Sequence, residues 1–139
     1  MSEQRIIGAA ISGYVSALLW VNTCKADQDG EMQPIDLHKR ESLGCFDRKD
    51  QERITDFVRE FIAENQDDFD EYIEQSSALS HSRAEQFGHD LLLTRSGHGA
   101  GFWDRGLGDL GDRLSAAARV YGDTSAEYSP VFGLELTEW

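Results

Sequence analysis

Apolar residues recur at helical spacing in the first half of the chain. Ile11, Val15 and Leu18 follow one another at intervals of three or four, which predicts a helix over residues 10–22. A second apolar stripe predicts helical structure from Asp50 to about Gln75, and it consists of Ile54, Phe57, Val58, Phe61, Ile62, Phe69, Tyr72 and Ile73. Asn65 interrupts this stripe, so we expect either a kinked helix or two consecutive helices.

Between these helices the pattern is weaker. Asp27–Glu31 predicts a turn that only superficially resembles a calcium loop, because Gly30 comes too soon and no Glu closes the loop. Pro34 and Asp36 then open a possible short helix that extends to about Leu43 and ends at Gly44.

The pattern changes after a polar connector at Ser76–Ser82. Two short apolar runs, Leu91–Leu93 and Ala100–Trp103, flank the glycine-containing sequence Ser96–Gly99. Short apolar runs around a glycine-containing turn are typical of antiparallel strands, so we predict a β-hairpin over about 90–104.

The last elements are a helix and a strand. Asp109 is the expected N-cap of a helix that contains Leu110, Leu114, Ala117, Ala118 and Tyr121 and stops at Gly122. Val131–Leu136 predicts a strand that could join the hairpin. We therefore expect a single α+β domain over residues 1–139, with three to four helices packed on a small antiparallel sheet.

Composition adds a strong negative charge to this picture. The 139 residues contain 26 acidic and 13 basic side chains, giving a net charge of −13. Such a field repels nucleic acids and anionic membranes and attracts basic protein surfaces. Cys24 and Cys45 match no metal-binding spacing, and we expect them to be reduced. Ile6–Val21 is short for a membrane span and follows no basic leader, so we expect a core helix of a cytoplasmic protein.

An acidic row is the first candidate site. Its members follow steps of four and three residues, which place them on one helical face away from the apolar stripe: Glu60, Glu64, Asp67, Glu71 and Glu74, with Asp68 beside them. No Lys or Arg lies between Glu60 and Ser80 in sequence, so we expect nothing nearby to offset the repulsion. A row of this kind could imitate a nucleic-acid backbone toward a basic groove, although a solvated helix face has the same pattern.

Two further patterns suggest chemistry less strongly. His81, His89 and His98 are close in sequence, but none stands in a recognised metal-binding spacing, so a metal-dependent hydrolase that uses His89 and His98 is only an alternative. Residues 106–111 match GxGxxG, yet Asp109 puts a carboxylate where a phosphate would bind. We expect no cofactor, no metal and no catalytic residue.

The run from Gly88 to Gly106, together with Gly111–Leu114, resembles a motif of small uncharacterised proteins from tailed bacteriophages and prophages. The resemblance implies a phage accessory protein, and some small acidic phage proteins inhibit CRISPR–Cas systems. It carries no activity that can be assigned to particular residues. We expect the motif to determine the fold or else to form a contact surface, through His89, Asp90, Arg95, His98, Phe102, Trp103, Asp104 and Arg105. Among these, ion pairs of Asp90 and Asp104 with Arg95 and Arg105 would fix its shape.

The resulting hypothesis is a non-catalytic inhibitor of host defence, of the anti-CRISPR type. It would act in the cytoplasm of the host bacterium and bind basic protein subunits of an RNA-guided effector complex through the acidic row. Exposed aromatic residues such as Trp139 or Tyr128 would add affinity. Direct nucleic-acid or membrane binding is not expected. A phage accessory protein that binds some other basic partner has the same sequence features.

Overall fold

The computed structural model describes residues 3–26, 31–34, 43–75, 80–97, 100–129 and 133–139. These residues contain five helices: α1 (Glu3–Val21), α2 (Arg48–Glu64), α3 (Gln66–Glu74), α4 (Ser80–Arg95) and α5 (Asp109–Arg119). They also contain two antiparallel hairpins: β1 (Thr23–Ala26) with β2 (Glu31–Pro34), and β3 (Ser125–Ser129) with β4 (Gly133–Glu138). The fold is therefore α+β and mostly helical.

Helix α1 lies in the core, and it begins earlier than predicted. Nine of its 19 residues are buried, including Tyr14, Leu18 and Leu19. By length and composition alone α1 could cross a membrane, a test that the core helix of a soluble protein also passes. Asn22 follows the helix and fastens it to β3, because its side-chain oxygen accepts a 3.3 Å hydrogen bond from the Ala126 N–H.

Helices α2 and α3 confirm the predicted interruption at Asn65. The Asn65 side chain donates to the Phe61 carbonyl at 2.9 Å, and its own backbone N–H reaches the same carbonyl at 3.1 Å. An amide that bonds to the preceding turn competes with the helical ladder and favours a break. At the other end of α2, the Asp47 carboxylate accepts from the Asp50 N–H at 2.9 Å, which satisfies one of the free amides of the first turn.

The predicted hairpin over 90–104 is wrong. Residues 80–95 form helix α4, in which Leu91, Leu92 and Leu93 are all buried. A run that is buried on every side has no amphipathic period, so a short apolar stretch can belong to a helix or to a strand. The second predicted arm is a 3-10 turn at Phe102–Asp104. The connector is also shorter than predicted, because α4 already begins at Ser80.

Helix α5 and the last strand are found where they were predicted, although their first and last residues differ from the prediction. Gly108 precedes the helix as its N-cap, with Asp109 as the first helical residue. The predicted terminal strand corresponds to β4, but its partner is β3, which the sequence analysis did not find. Along this hairpin Ala126, Leu134 and Leu136 are buried while Glu127 and Glu135 are exposed, as expected for a sheet with one covered face.

The first hairpin, β1 with β2, was not anticipated either. The predicted turn at Asp27–Glu31 falls on residues 27–30, outside the described residues, and Glu31 begins β2. Most of the predicted short helix, residues 35–42, is also outside them. The chain is next described at Leu43–Cys45, a 3-10 turn in which Cys45 is exposed and forms no disulfide with another described residue.

Buried apolar residues from α1 to α5 and from the β3–β4 hairpin form one cluster. Its centre holds a chain of aromatic contacts in which the Phe87 ring lies 4.8 Å from Phe69, 5.1 Å from Tyr72 and 5.0 Å from Phe102. The hairpin is tied to this cluster through a buried carboxylate, since Asp50 accepts from the Leu136 N–H at 3.0 Å.

Candidate functional site

The acidic row is on the surface, divided between two helices. Glu60 and Glu64 are exposed on α2; on α3 Asp67, Glu71 and Glu74 are exposed and Asp68 is half-buried. The apolar stripe on these helices explains this placement, because burying Phe57, Phe61 and Phe69 turns the intervening carboxylates to solvent.

The expectation that nothing offsets the repulsion is wrong for two members of the row. Arg113, one turn into α5, bridges Asp68 at 3.1 Å and Glu71 at 3.0 Å. These carboxylates raise the pKa of the Arg113 guanidinium through hydrogen bonding and charge. The sequence from Glu60 to Ser80 contains no Lys or Arg, but Arg113 reaches the row from a helix more than forty residues further along the chain. Within the described part of the chain, Glu60, Glu64, Asp67 and Glu74 have no such ion pair.

Exposed aromatic residues adjoin the α2 end of the row. The Tyr121 hydroxyl donates to Glu64 at 3.2 Å, and the Tyr121 ring lies edge-on to Phe57 with centroids 4.9 Å apart. Burial and the nearby Glu64 raise the pKa of Tyr121. Trp139 packs against the same Phe57 ring at 5.6 Å. Tyr121 remains 38 % exposed and Trp139 37 %, so an aromatic patch of these two residues stands beside the carboxylates.

The conspicuous motif between Gly88 and Gly106 contains a buried polar network. Asp90 is fully buried on α4 and accepts both Nε, at 3.1 Å, and Nη2, at 2.9 Å, of Arg105. Tyr72 of α3 donates its hydroxyl to the same carboxylate at 2.8 Å. A buried carboxylate needs such partners to offset its desolvation. Burial and the neighbouring Asp90 raise the pKa of Tyr72, so this hydroxyl stays protonated as a donor.

Arg95 has a different role from the predicted ion pair. It is 4 % exposed, and its guanidinium lies 4.5 Å from the centre of the Phe57 ring and 4.3 Å from that of Trp139. It also donates to the Tyr14 hydroxyl at 3.0 Å and the Gly122 carbonyl at 2.9 Å. Cation–π contacts and neutral acceptors here take the place of a carboxylate. Arg95, the last residue of α4, thus connects this helix to α1, α2 and Trp139.

The turn after α4 is fixed by Thr94, whose hydroxyl accepts from the Phe102 N–H at 3.1 Å. Gly101 has φ 151°, and a Cβ there would collide with this hydroxyl, so the turn requires glycine. The Asp104 carboxylate closes the turn by accepting from the Gly101 N–H at 3.1 Å, whereas Trp103 is 46 % exposed. Asp104 therefore stabilises the turn by a backbone hydrogen bond, as part of a motif that shapes the fold.

The histidine pair and the glycine motif gain no support as chemical sites. His89 is half-buried on α4, and His98 lies outside the described residues. Among the described residues no group of three His, Cys, Asp or Glu side chains could hold a metal ion. In the GxGxxG match, Gly111 packs so closely that a Cβ would lie 2.8 Å from the Phe102 carbonyl oxygen, which gives this glycine a structural role.

A polar groove between α1 and α4 was not found by sequence reasoning. Its volume is about 260 Å³; α1 contributes Ser12 and Ser16, α4 contributes Ser82, Gln86 and His89, and Arg105 also lines it. The spacing of Ser12 and Ser16 on one helix face was a usable signal, since it places two hydroxyls on the surface of an otherwise apolar helix. Only the packing of α4 alongside turns that face into a groove.

No protein-family model, curated protein or solved structure matches the chain significantly.

Proposed function

We propose that the protein is a non-catalytic binding protein that docks on a basic protein surface. The observation that carries this proposal is the combination of exposed carboxylates and exposed aromatic rings at one place. Glu64 is hydrogen-bonded to Tyr121, and Tyr121 and Trp139 pack on the same Phe57 ring. Protein interfaces are enriched in Tyr and Trp, while flanking charges steer association and select the partner.

Arg113 reduces the charge of this face but leaves most of it available. One guanidinium against six carboxylates leaves the row negative, and the described residues offer no ion pair to Glu60, Glu64, Asp67 or Glu74. Exposed pairs such as those of Arg113 contribute little to stability. Exposed carboxylates alone would be explained by solubility. Exposed aromatic rings beside them do not increase solubility, so the aromatic patch is what favours a binding function.

We further propose that the partner is a protein subunit of a bacterial RNA-guided effector complex, and that the protein is a phage-encoded inhibitor. The resemblance of residues 88–106 to phage proteins supports this identity, and the charge of −13 supports competition for surfaces built to hold nucleic acid. An inhibitor of this kind acts at stoichiometric amounts and requires neither cofactor nor turnover.

A pair of charge-reversal variants tests the docking face. Glu64→Lys/Asp67→Lys changes the row, and Glu127→Lys/Glu135→Lys makes the same change of net charge on the exposed side of β3 and β4. Binding to an arginine-rich peptide should weaken about tenfold or more in the first variant at low salt, and clearly less in the second. Equal losses would mean that net charge alone drives binding.

The partner is tested separately with purified effector complexes and target DNA. We expect the unmodified protein to block target binding or cleavage at a ratio near one to one, and the Glu64→Lys/Asp67→Lys variant to lose the block. Full activity of every complex at a large excess of the protein would reject the proposed partner. It would leave the peptide result, and with it the docking face, standing.

A further inference from the structure

The groove between α1 and α4 has the geometry of a small-molecule site, separate from the acidic row. Gly13 and Gly88 let the two helices approach so closely that a Cβ at either position would overlap a backbone carbonyl of the other helix. The backbones therefore form a tightly packed base, and Ser12 and Ser16 face Ser82, Gln86 and His89 along the groove above it. At about 260 Å³ the groove is just below the ~300–1,000 Å³ of drug-sized ligand sites.

The Arg105 side chain, which lines the groove, is held in place by a buried carboxylate. The Arg105 side chain is 34 % exposed, and two of its nitrogens are fixed by the fully buried Asp90. The Tyr72 hydroxyl holds that carboxylate in turn at 2.8 Å. A guanidinium with this support loses little freedom when a ligand binds, which is the condition for a preorganised polar contact.

The charges of the groove disfavour an anionic ligand. Asp90 balances the charge of Arg105, Glu85 in the lining has interactions of its own, and the whole chain carries −13. The lining residues are otherwise hydroxyl, amide and imidazole groups, together with Gly13, so a purely apolar ligand would leave polar groups without hydrogen-bond partners. An uncharged ligand with many hydroxyl groups fits both constraints.

Trp20 supplies an apolar surface next to these polar groups. It lies one turn beyond Ser16 on α1, is 55 % exposed, and has its ring centroid 6.2 Å from that of the groove residue His89. An exposed indole offers a flat face to the C–H side of a ring, while serine and amide groups bond to hydroxyls. We propose that this groove binds a neutral saccharide, with Trp20 against one face of a sugar ring.

The test is a titration of the intact protein with a panel of small ligands, followed by NMR. The panel contains glucose, galactose and N-acetylglucosamine with their short oligomers, and also glucose 6-phosphate, inorganic phosphate and the four ribonucleosides. We expect saturable binding of at least one neutral sugar, with a Kd on the order of 1 mM or tighter for a single ring. The shifted resonances should belong to Ser16, Gln86 and the Trp20 indole.

Three variants locate the site. Trp20→Ala should weaken sugar binding at least about tenfold, and Ser16→Leu should abolish it by filling the groove from an exposed helix position. Trp103→Ala removes another exposed tryptophan that does not line the groove, and it should bind sugar normally. Thermal unfolding of each variant confirms that the fold is intact.

Several outcomes would overturn the proposal. Binding of phosphate or glucose 6-phosphate without binding of any neutral sugar would make the groove an anion site. Binding of nucleosides alone would assign it to a base, and silence of the whole neutral panel would leave no saccharide site. Retained sugar binding in Ser16→Leu would place the ligand elsewhere on the protein.

Discussion

Asp90 is the residue around which the conspicuous motif is organised. A carboxylate with no exposed surface is expensive to bury, and here a two-nitrogen contact from Arg105 and the Tyr72 hydroxyl offset that cost. The same three residues join α3, α4 and the turn before α5. One buried charge thus fixes the orientation of an arginine that lines the groove.

Two buried tyrosines predict a fall in stability at alkaline pH. Burial raises the pKa of Tyr14 to about 12, against the opposing effect of Arg95, and the pKa of Tyr72 is also raised by burial and Asp90. Above about pH 10 the unfolded chain loses these protons while the folded chain keeps them. The unfolded state then binds fewer protons, so the free energy of unfolding must decrease as pH rises.

The expected decrease between pH 9 and pH 11 is roughly 1 kcal/mol for each tyrosine. Urea unfolding at several pH values measures it. Tyr14→Phe and Tyr72→Phe should each flatten the dependence, although both lose a hydrogen bond and start from a lower stability. An unchanged slope in both variants would show that these hydroxyls do not titrate on unfolding.

The contacts of individual side chains could be predicted from sequence only where both partners lie close together along the chain. The pairing of Asp90 with Arg105 was among the ion pairs predicted within the motif, and the structure confirms it. Arg95 instead contacts Tyr14, Phe57 and Trp139, which are far away in the chain. Arg113 likewise reaches Asp68 and Glu71 from another helix. No local pattern encodes contacts of this kind.

The close packing of α1 against α4 constrains these two helices, and two glycines in α1 distinguish the effect of packing from that of helix propensity. A Cβ at Gly13 would overlap the Glu85 carbonyl, whereas a Cβ at the exposed Gly8 meets nothing within 4 Å. Gly13→Ala should therefore destabilise the protein by about 2 kcal/mol or more, because the backbones must separate. Gly8→Ala should stabilise it by roughly 0.5–1 kcal/mol through helix propensity.

Chemical denaturation of the two variants measures this difference directly. Both changes add one methyl group to the same helix, so intrinsic propensity is the same in each and only the packing differs. Equal stabilisation by both substitutions would mean that α1 and α4 do not approach each other as described. A matching loss of stability in Gly88→Ala, which faces the Ala10 carbonyl, would support the contact from the other side.

Elements with a clear period were predictable and the others were not. Apolar residues at steps of three and four located α2 and α3, and Asn65 within that stripe located the break between them. The C-terminal end of helix α4 was mistaken for a strand because Leu91, Leu92 and Leu93 are all buried, which leaves no amphipathic period to identify a helix. Strands β1 to β3 are four or five residues long and offer too few positions for a period to emerge.

At the scale of the whole molecule, the described residues present two surfaces built from different elements. The acidic row and aromatic patch involve α2, α3 and the residues that follow α5, whereas the groove is formed by α1, α4 and Arg105. The charge of the row was predictable from sequence, but its partial neutralisation by Arg113 and its proximity to Trp139 and Tyr121 were not. Both depend on how helices from distant parts of the chain pack together.

Arg113 occupies part of the acidic row from within the protein itself. It binds Asp68 and Glu71 as a partner's arginine would, so it competes with a basic partner for them. Arg113→Ala should strengthen binding of an arginine-rich peptide several-fold at 50 mM salt, with a smaller gain at high salt because exposed charges are screened. Arg119→Ala is the matched control, since it removes the same charge from the same helix and the described residues offer Arg119 no ion pair. A larger gain in Arg113→Ala places the peptide on the row; equal gains would reduce the effect to net charge and remove the row from the docking face.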